Sequence, residues 1–294
     1  MVTHGRARSR KPPKPKVQRV QFDAARAPEE GQLQPIAARV LMKVLYAARM
    51  CRFDLMRAVC VLATRITRWD SSCDRRLHRL MSYVHSSLHK RLVGWVGDPL
   101  ADLQPHVFCD ADLAGCADTQ RSTTGVYHCV RGAHSSFPIA AVSKRQGSVS
   151  HSTPEAELVA LDHGLRNVAL PSMEVWEVLL PHARLVAHED NAVAVRVCQT
   201  GRNQTMRTLG RTHGITVAWL HEAYKRGQFE LRWENSSTMA ADIFTKPFSV
   251  PLTWEGACAL INICAEADIE AMCARAGMPP LTVSGGGQAR RVGR

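Results

Sequence analysis

A chain of 294 residues with 45% apolar residues has enough material for one sizeable core with appendages, or for two small domains. Its formal charge of +12 favours a polyanionic partner, most simply nucleic acid. The ten cysteines form no C-x-x-C pair and have mostly apolar neighbours, as in Val59-Cys60-Val61 and Ile263-Cys264-Ala265, which speaks against a zinc knuckle or a disulfide frame and for reduced thiols in an intracellular protein. No apolar run reaches the ~18–20 residues that span a bilayer, and the N-terminus lacks a signal-peptide core, so cytoplasm or nucleus and no membrane partner are expected.

Residues 1–32 open with Arg6-Ala7-Arg8-Ser9-Arg10-Lys11-Pro12-Pro13-Lys14-Pro15-Lys16, which alternates cations with proline and holds no acid, and end in the linker Pro28-Glu29-Glu30-Gly31. That composition predicts a disordered basic arm, suited to nucleic-acid contact or nuclear import and equally to a solubilising leader. Residues 33–100 turn helical. Ala37, Val40, Leu41, Val44 and Leu45 recur at i, i+3, i+4 spacing, and Leu55, Ala58, Val59, Leu62 and Ile66 repeat it. A third helix is predicted from Cys73 to His89, with Leu77, Leu80, Met81, Val84 and Leu88 on one face. The three are expected to form a docking appendage without strands.

After Gly97-Asp98-Pro99 the period changes. Strands are predicted at His106–Cys109, Gly125–Val130 and Pro138–Val142, an antiparallel meander. Ser152-Thr153-Pro154-Glu155 starts a helix with a hydroxyl cap, an early proline and a capping-box glutamate; it runs through Leu165, breaks at Pro171 and resumes to Leu180. Then follow a strand at Arg184–His188, helices at Asn191–Gln199 and Gly214–Arg226, a strand at Phe229–Trp233 and a short helix at Thr238–Phe244. This order predicts an α/β domain over residues 101–249, with one mixed sheet flanked by helices. Residues 250–294 hold a last helix, Trp254–Ala276, and a tail containing Gly285-Gly286-Gly287.

Four acids fall where strands end or helices begin or turn: Asp110, Glu157, Asp190 and Asp242. Carboxylates brought together repel and raise one another's pKa, so a fold gathers them only around cations, and Mg²⁺ prefers such oxygen ligands. Glu157 is favoured over Glu155, which is better used in the helix cap; the two point to different faces because each helical step turns ~100°. Asp112 lies on the same strand face as Asp110 and competes with it. Alone, Asp190 fits a helix N-cap and Asp242 a first-turn acid favoured by the helix dipole. Together the four predict a two-metal phosphodiester-cleaving site.

These stretches carry a resemblance. Phe108-Cys109-Asp110-Ala111-Asp112-Leu113-Ala114-Gly115-Cys116 followed by Arg121-Ser122-Thr123-Thr124-Gly125, then Ser152-Thr153-Pro154-Glu155-Ala156-Glu157, Glu189-Asp190-Asn191 and Ala241-Asp242-Ile243-Phe244-Thr245-Lys246-Pro247-Phe248, resemble in order the motifs of the ribonuclease H domain of copia-type retrotransposon polyproteins. The similarity covers residues 105–248; Arg52-Phe53-Asp54-Leu55 resembles the segment connecting reverse transcriptase to that domain. The resemblance implies a five-stranded mixed sheet, with Asp110, Glu157, Asp190 and Asp242 holding two Mg²⁺ ions (Mn²⁺ as a substitute) for cleavage of the RNA strand of RNA–DNA hybrids. It also implies a reverse transcriptase, or the rest of a polyprotein, as a partner.

Arg121, Ser122 and Thr123 offer a cation and hydroxyls to a phosphate backbone, and Ser152 and Asn191 are placed to touch the RNA strand or to cap their helices. Arg207, Arg211, Lys225 and Arg226 form either a basic track or a solvated helix face, and His213 is read as structural. The chain departs from the family pattern at Leu113, Leu158 and Trp233-Glu234-Asn235-Ser236, and holds no Tyr-x-Asp-Asp. The alternative is therefore a catalytically weak or inactive nucleic-acid-binding remnant.

Overall fold

The structure is a computed structural model that describes residues 29–180, 182–202, 206, 208–269 and 271; the basic arm, Arg207 and the glycine-rich tail lie outside the described residues. Three helices come first: α1 (Gln34–Met50), α2 (Met56–Ala63) and α3 (Ser71–Ser86). The Asp70 carboxylate accepts the Cys73 N–H and so starts α3. The helix ends earlier than its apolar pattern predicts. Arg52, paired with Asp54, donates to the Ser87 carbonyl and hydroxyl at 3.2 and 2.7 Å, holding the chain as it leaves the helix. Residues predicted to stay helical or irregular instead give a strand, β1 (Lys90–Leu92).

Then come β2 (Trp95–Val96), β3 (Gln104–Ala111), β4 (Thr123–Gly132), β5 (Ser135–Arg145), α4 (Thr153–Gly164) and α5 (Leu170–Leu179). No break occurs at Pro171. A π turn over Leu165–Ala169 leads into α5, and the proline stands in that helix's first turn, where its missing N–H costs least. The chain continues through β6 (Val186–Glu189), α6 (Ala192–Thr200), α7 (Leu209–Thr212), α8 (Val217–Lys225), β7 (Glu230–Trp233) and a 3-10 turn at Ala240–Phe244. The expected helix Trp254–Ala276 is corrected to α9 (Pro251–Leu260) followed by β8 (Ile263–Ala265), which pairs antiparallel with β1. The reversal is made at Asn262, whose φ of +61° is left-handed. Its amide donates to the carbonyls of Val93 and Ser136, pinning the turn to the body of the protein.

The main sheet has the order β2-β5-β4-β3-β6-β7. Strands β3, β4 and β5 form the antiparallel meander, while β6 is parallel to β3 and β7 parallel to β6. The five expected strands are thus present. A sixth, β2, adds two residues at the β5 edge, too few to show alternation in the sequence.

Both sheet faces are covered. On one, Val107, Cys109 and Val126 pack with Leu158 and Leu161 of α4, Ala194 of α6 and Leu220 of α8. On the other, Phe108 and Tyr127 share one hydrophobic cluster with Leu41, Val59 and Leu77 from α1, α2 and α3, and with Phe244 and Cys258. The first three helices therefore seal a sheet face instead of standing apart from it.

Candidate metal centre

The acids gather at the end of the sheet where β3 and β6 finish side by side. Alternation along β3 sends Val107, Cys109 and Ala111 toward α4 and sends Phe108 and Asp110 to the opposite face. Asp110 is 1% exposed and stands opposite Gly125 of β4. A Cβ on Gly125 would lie 2.7 Å from the Thr245 methyl and 2.8 Å from the Ala241 carbonyl. Only a glycine lets the turn carrying Asp242 lie this close to the strands. That turn is fastened from three sides. The Thr245 hydroxyl donates to Asp110 Oδ2, Ser143 Oγ donates to the Phe244 carbonyl at 2.7 Å, and Arg57 Nε, from α2, donates to the Thr245 carbonyl at 2.8 Å.

Helix α4 begins as its sequence predicts: Ser152 Oγ accepts the Glu155 N–H, and Glu155 Oε2 accepts the His151 N–H. Glu155 Oε1 meets His213 Nε2 at 3.3 Å, so Glu155 and His213 hold the loop before the helix. Glu157 is 3% exposed and turned to the sheet end. Beyond β6, Asp190 is half-buried; Ser236 Oγ donates to its Oδ2 at 2.7 Å.

Oxygens of Asp110, Asp190 and Asp242 lie within 4.8 Å of one another, and so do oxygens of Glu157, Glu189 and Asp190. The structure thus brings the four expected acids to one place, joined through Asp190. It adds a fifth, Glu189, which the motif reading passed over. Alternation from Ala187 puts Glu189 on the α4 side of the sheet, fully buried, with Oε1 accepting the Asn191 N–H at 3.0 Å. The signal was present in the strand pattern, but the polar run His188-Glu189-Asp190 hid it.

The electrostatics follow from the crowding. Burial, then the charges of Glu189, Asp110 and Asp190, pushes the Glu157 carboxyl up to about 11. Burial raises Glu189 well above the usual carboxylate range; the Asn191 N–H opposes this, and Asp190 and Asp110 add to it. Burial and Asp110 push Asp242 up to about 7 against the pull of Lys246. Lys246 Nζ lies 2.6 Å from Asp242 Oδ1 and 3.3 Å from Asp110 Oδ1; burial lowers its pKa, and Asp110, Asp242 and Asp190 more than offset that, holding it charged.

Glu157 Oε2 and Glu189 Oε2 are buried with no hydrogen-bond partner among the described residues, and buried Asp110 Oδ1 has the Lys246 ammonium at 3.3 Å. Buried carboxyl oxygens that lack donors, in an all-carboxylate set, suit a hard divalent cation such as Mg²⁺ or Mn²⁺. Asp112, by contrast, lies past the end of β3, where its carboxylate accepts the Thr123 N–H and closes the β3–β4 loop.

Of the expected substrate contacts, Arg121 is half-exposed in that loop. Ser122 is fully buried and accepts the Ala114 N–H, so its hydroxyl serves the loop. Thr123 opens β4. Ser152 caps α4, and Asn191 Oδ1 caps α6 by accepting the N–H groups of Val193 and Ala194. Arg211, Lys225 and Arg226 are exposed, and Arg226 pairs with Glu222 on its own helix.

No family model and no curated protein matches this sequence. Five solved chains match by structure. Among them is a ribonuclease H1 isolated from compost by a metagenomic approach, 16% identical over 48% of this chain and 92% of that one, with a TM-score of 0.35. Another is a foamy viral protease-reverse transcriptase in complex with an RNA/DNA hybrid, 12% identical over 77% of this chain and 27% of that one, TM-score 0.42. A third is an N-terminal ribonuclease H domain from Mycobacterium tuberculosis, 14% identical over 53% of this chain and 97% of that one, TM-score 0.33. In its strand order and directions, this chain has an α/β fold of the ribonuclease H-like class.

Proposed function

We propose that this chain is a metal-dependent endonuclease that cleaves the RNA strand of RNA–DNA hybrids, a ribonuclease H of copia-type retrotransposon descent. The observation that carries the reading is the sharing of Asp190 between two acidic trios at one end of the sheet. Such an arrangement suits two adjacent divalent cations, one held by Asp110, Asp190 and Asp242, the other by Glu157, Glu189 and Asp190. Magnesium in such sites supplies an activated water and a sink for charge on the departing 3′ oxygen. The protein's own part is orientation and charge. Thr245 fixes which way the Asp110 carboxylate faces, Ser236 does the same for Asp190, and Lys246 offsets negative charge at Asp110 and Asp242. The net charge of +12 favours a polyanionic duplex, and a reverse transcriptase or the remainder of a polyprotein is the proposed protein partner. No helix among the described residues is long and apolar enough to cross a membrane.

A second reading rests on Lys246, which already neutralises Asp110 and Asp242 and would let a metal-free remnant keep its fold. End-labelled hybrid with Mg²⁺ or Mn²⁺ separates the two. The nuclease reading expects cleavage of the RNA strand in the hybrid, falling to background in Asp110→Asn and Asp190→Asn. Hybrid bound but left intact by the wild type supports the remnant; cleavage that survives both substitutions sinks the assignment of the site.

A further inference from the structure

We infer that Trp233 is a substrate-contact residue, its indole face a stacking surface for a nucleotide of the bound nucleic acid. The identity of the ligand rests on the hybrid-binding reading above; the placement of the ring does not. The chain has six tryptophans, all within the described residues, and Trp233 alone is exposed, at 58%. Its π face is open to solvent and available for contact.

This ring is also held in place. Trp233 Nε1 donates to the Asp190 carbonyl at 2.9 Å, which lays the indole beside the residue that both acidic trios share. The residues that follow grip the same spot. The Glu234 N–H donates to the Glu189 carbonyl at 3.0 Å, and Ser236 Oγ reaches Asp190 Oδ2. Orientation is thus set before any ligand arrives, and little conformational entropy remains to be lost on binding.

The chemistry left to the ring narrows the ligand. Its one polar atom is already committed, so only the π face is on offer. A phosphate gains nothing there, whereas a flat base or the apolar face of a sugar does. The neighbouring cation, Arg232, is engaged bidentately by Glu230 and brings little free positive charge. Stacking tolerates every base, which suits a protein that follows backbone shape without reading sequence.

The test uses the full chain with Ca²⁺ in place of Mg²⁺, so that hybrid affinity is read by anisotropy without turnover, and Mg²⁺ kinetics in parallel. Trp233→Ala is expected to weaken hybrid binding about tenfold and to raise KM with little change in kcat. Trp233→Phe, which keeps a ring but loses the N–H, should stay within about threefold of wild type. Urea unfolding of both variants controls for folding. Wild-type affinity in Trp233→Ala overturns the inference, and with wild-type cleavage intact it does so without touching the nuclease reading. Equal losses in Phe and Ala variants overturn it in favour of a pure anchor for Asp190, an outcome that appears in kcat. If the wild type binds hybrid in a Trp233-dependent way but never cuts it, the nuclease reading fails while this inference stands. A wild type that binds no hybrid overturns both.

Discussion

Glu157→Gln is expected to make the metal-free protein more stable at neutral pH while removing metal-supported activity. Glu157 is 3% exposed, its Oε2 has no hydrogen-bond partner among the described residues, and Glu189, Asp110 and Asp190 face it. Burial and those charges lift its pKa from 4.5 to about 11. The folded chain therefore keeps this proton to higher pH than the unfolded chain does. Its stability is intact below pH 4.5 and declines as the pH climbs from there toward 11. By about pH 7.5, roughly three units above the ordinary value, one such group costs at most about 4 kcal/mol at about 1.36 kcal/mol per unit. Glutamine keeps the shape without the titration. In EDTA the variant should exceed wild type by about 2–4 kcal/mol near pH 7.5, a shift of roughly 1 M in the urea midpoint, and by almost nothing near pH 4.5. Magnesium should narrow the gap, because wild type gains more from the ion than the variant does. Urea unfolding at three pH values, with EDTA or Mg²⁺, reads all of this. An advantage independent of pH, or a variant less stable than wild type at every pH, would mean that Glu157 does not hold its proton in the folded chain.

Arg57→Ala removes the donor on the Thr245 carbonyl, so the turn that orients Asp110 loosens; kcat should fall about tenfold, with the Mg²⁺ requirement raised and hybrid affinity unchanged, as Mg²⁺-dependent kinetics will show. Asp112→Ala should cost about 1–2 kcal/mol in urea unfolding through the lost Thr123 contact, yet leave cleavage well above the Asp110→Asn background. Gly125→Ala places a methyl against Thr245 and the Ala241 carbonyl; a loss of about 1–3 kcal/mol in unfolding, together with reduced Mg²⁺ affinity by titration, is expected.

What the sequence made legible was local. Asp110 lies near a strand end, Ser152 and Glu155 start α4, Asn191 caps α6, and each of these signals spans only a few residues. The strands of the meander are long enough for alternation to register, and β2, with two residues, is not. Glu189 needed the register of β6 against β3, which a run of three polar residues conceals. The role of the first three helices was out of reach for a different reason. An apolar stripe shows that a helix is covered on one face, not what covers it. The partner of Arg57 is 188 residues away, and the cluster joining Leu41 and Val59 to Phe108 and Tyr127 is of the same long-range kind. At the end of α9 the run Ile261-Asn262-Ile263-Cys264, apolar but for its asparagine, continues a helical pattern as well as it starts a strand, and the choice is made by what the Asn262 side chain finds in space.

The centre's charge balance ties these pieces together. Five acids meet at the sheet end, and Lys246 is in contact with two of them. One cation cannot balance five carboxylates, so without metal Glu157, Glu189 and Asp242 hold their protons to higher pH than ordinary carboxyls do, each displaced upward by burial and by its neighbours. Metal and protons then compete for the same oxygens. A divalent ion entering this cluster must displace protons, so its affinity rises with pH until each displaced group is already ionised, and the proton lost at least cost belongs to the group nearest neutrality. That group is Asp242, at about 7, and its turn is the one held by Thr245, Ser143 and, across the sheet face, Arg57 of α2. The helical segment at the start of the chain therefore supports the acid whose protonation is most easily exchanged for metal, which gives its packing against Phe108 and Tyr127 a consequence at the centre itself.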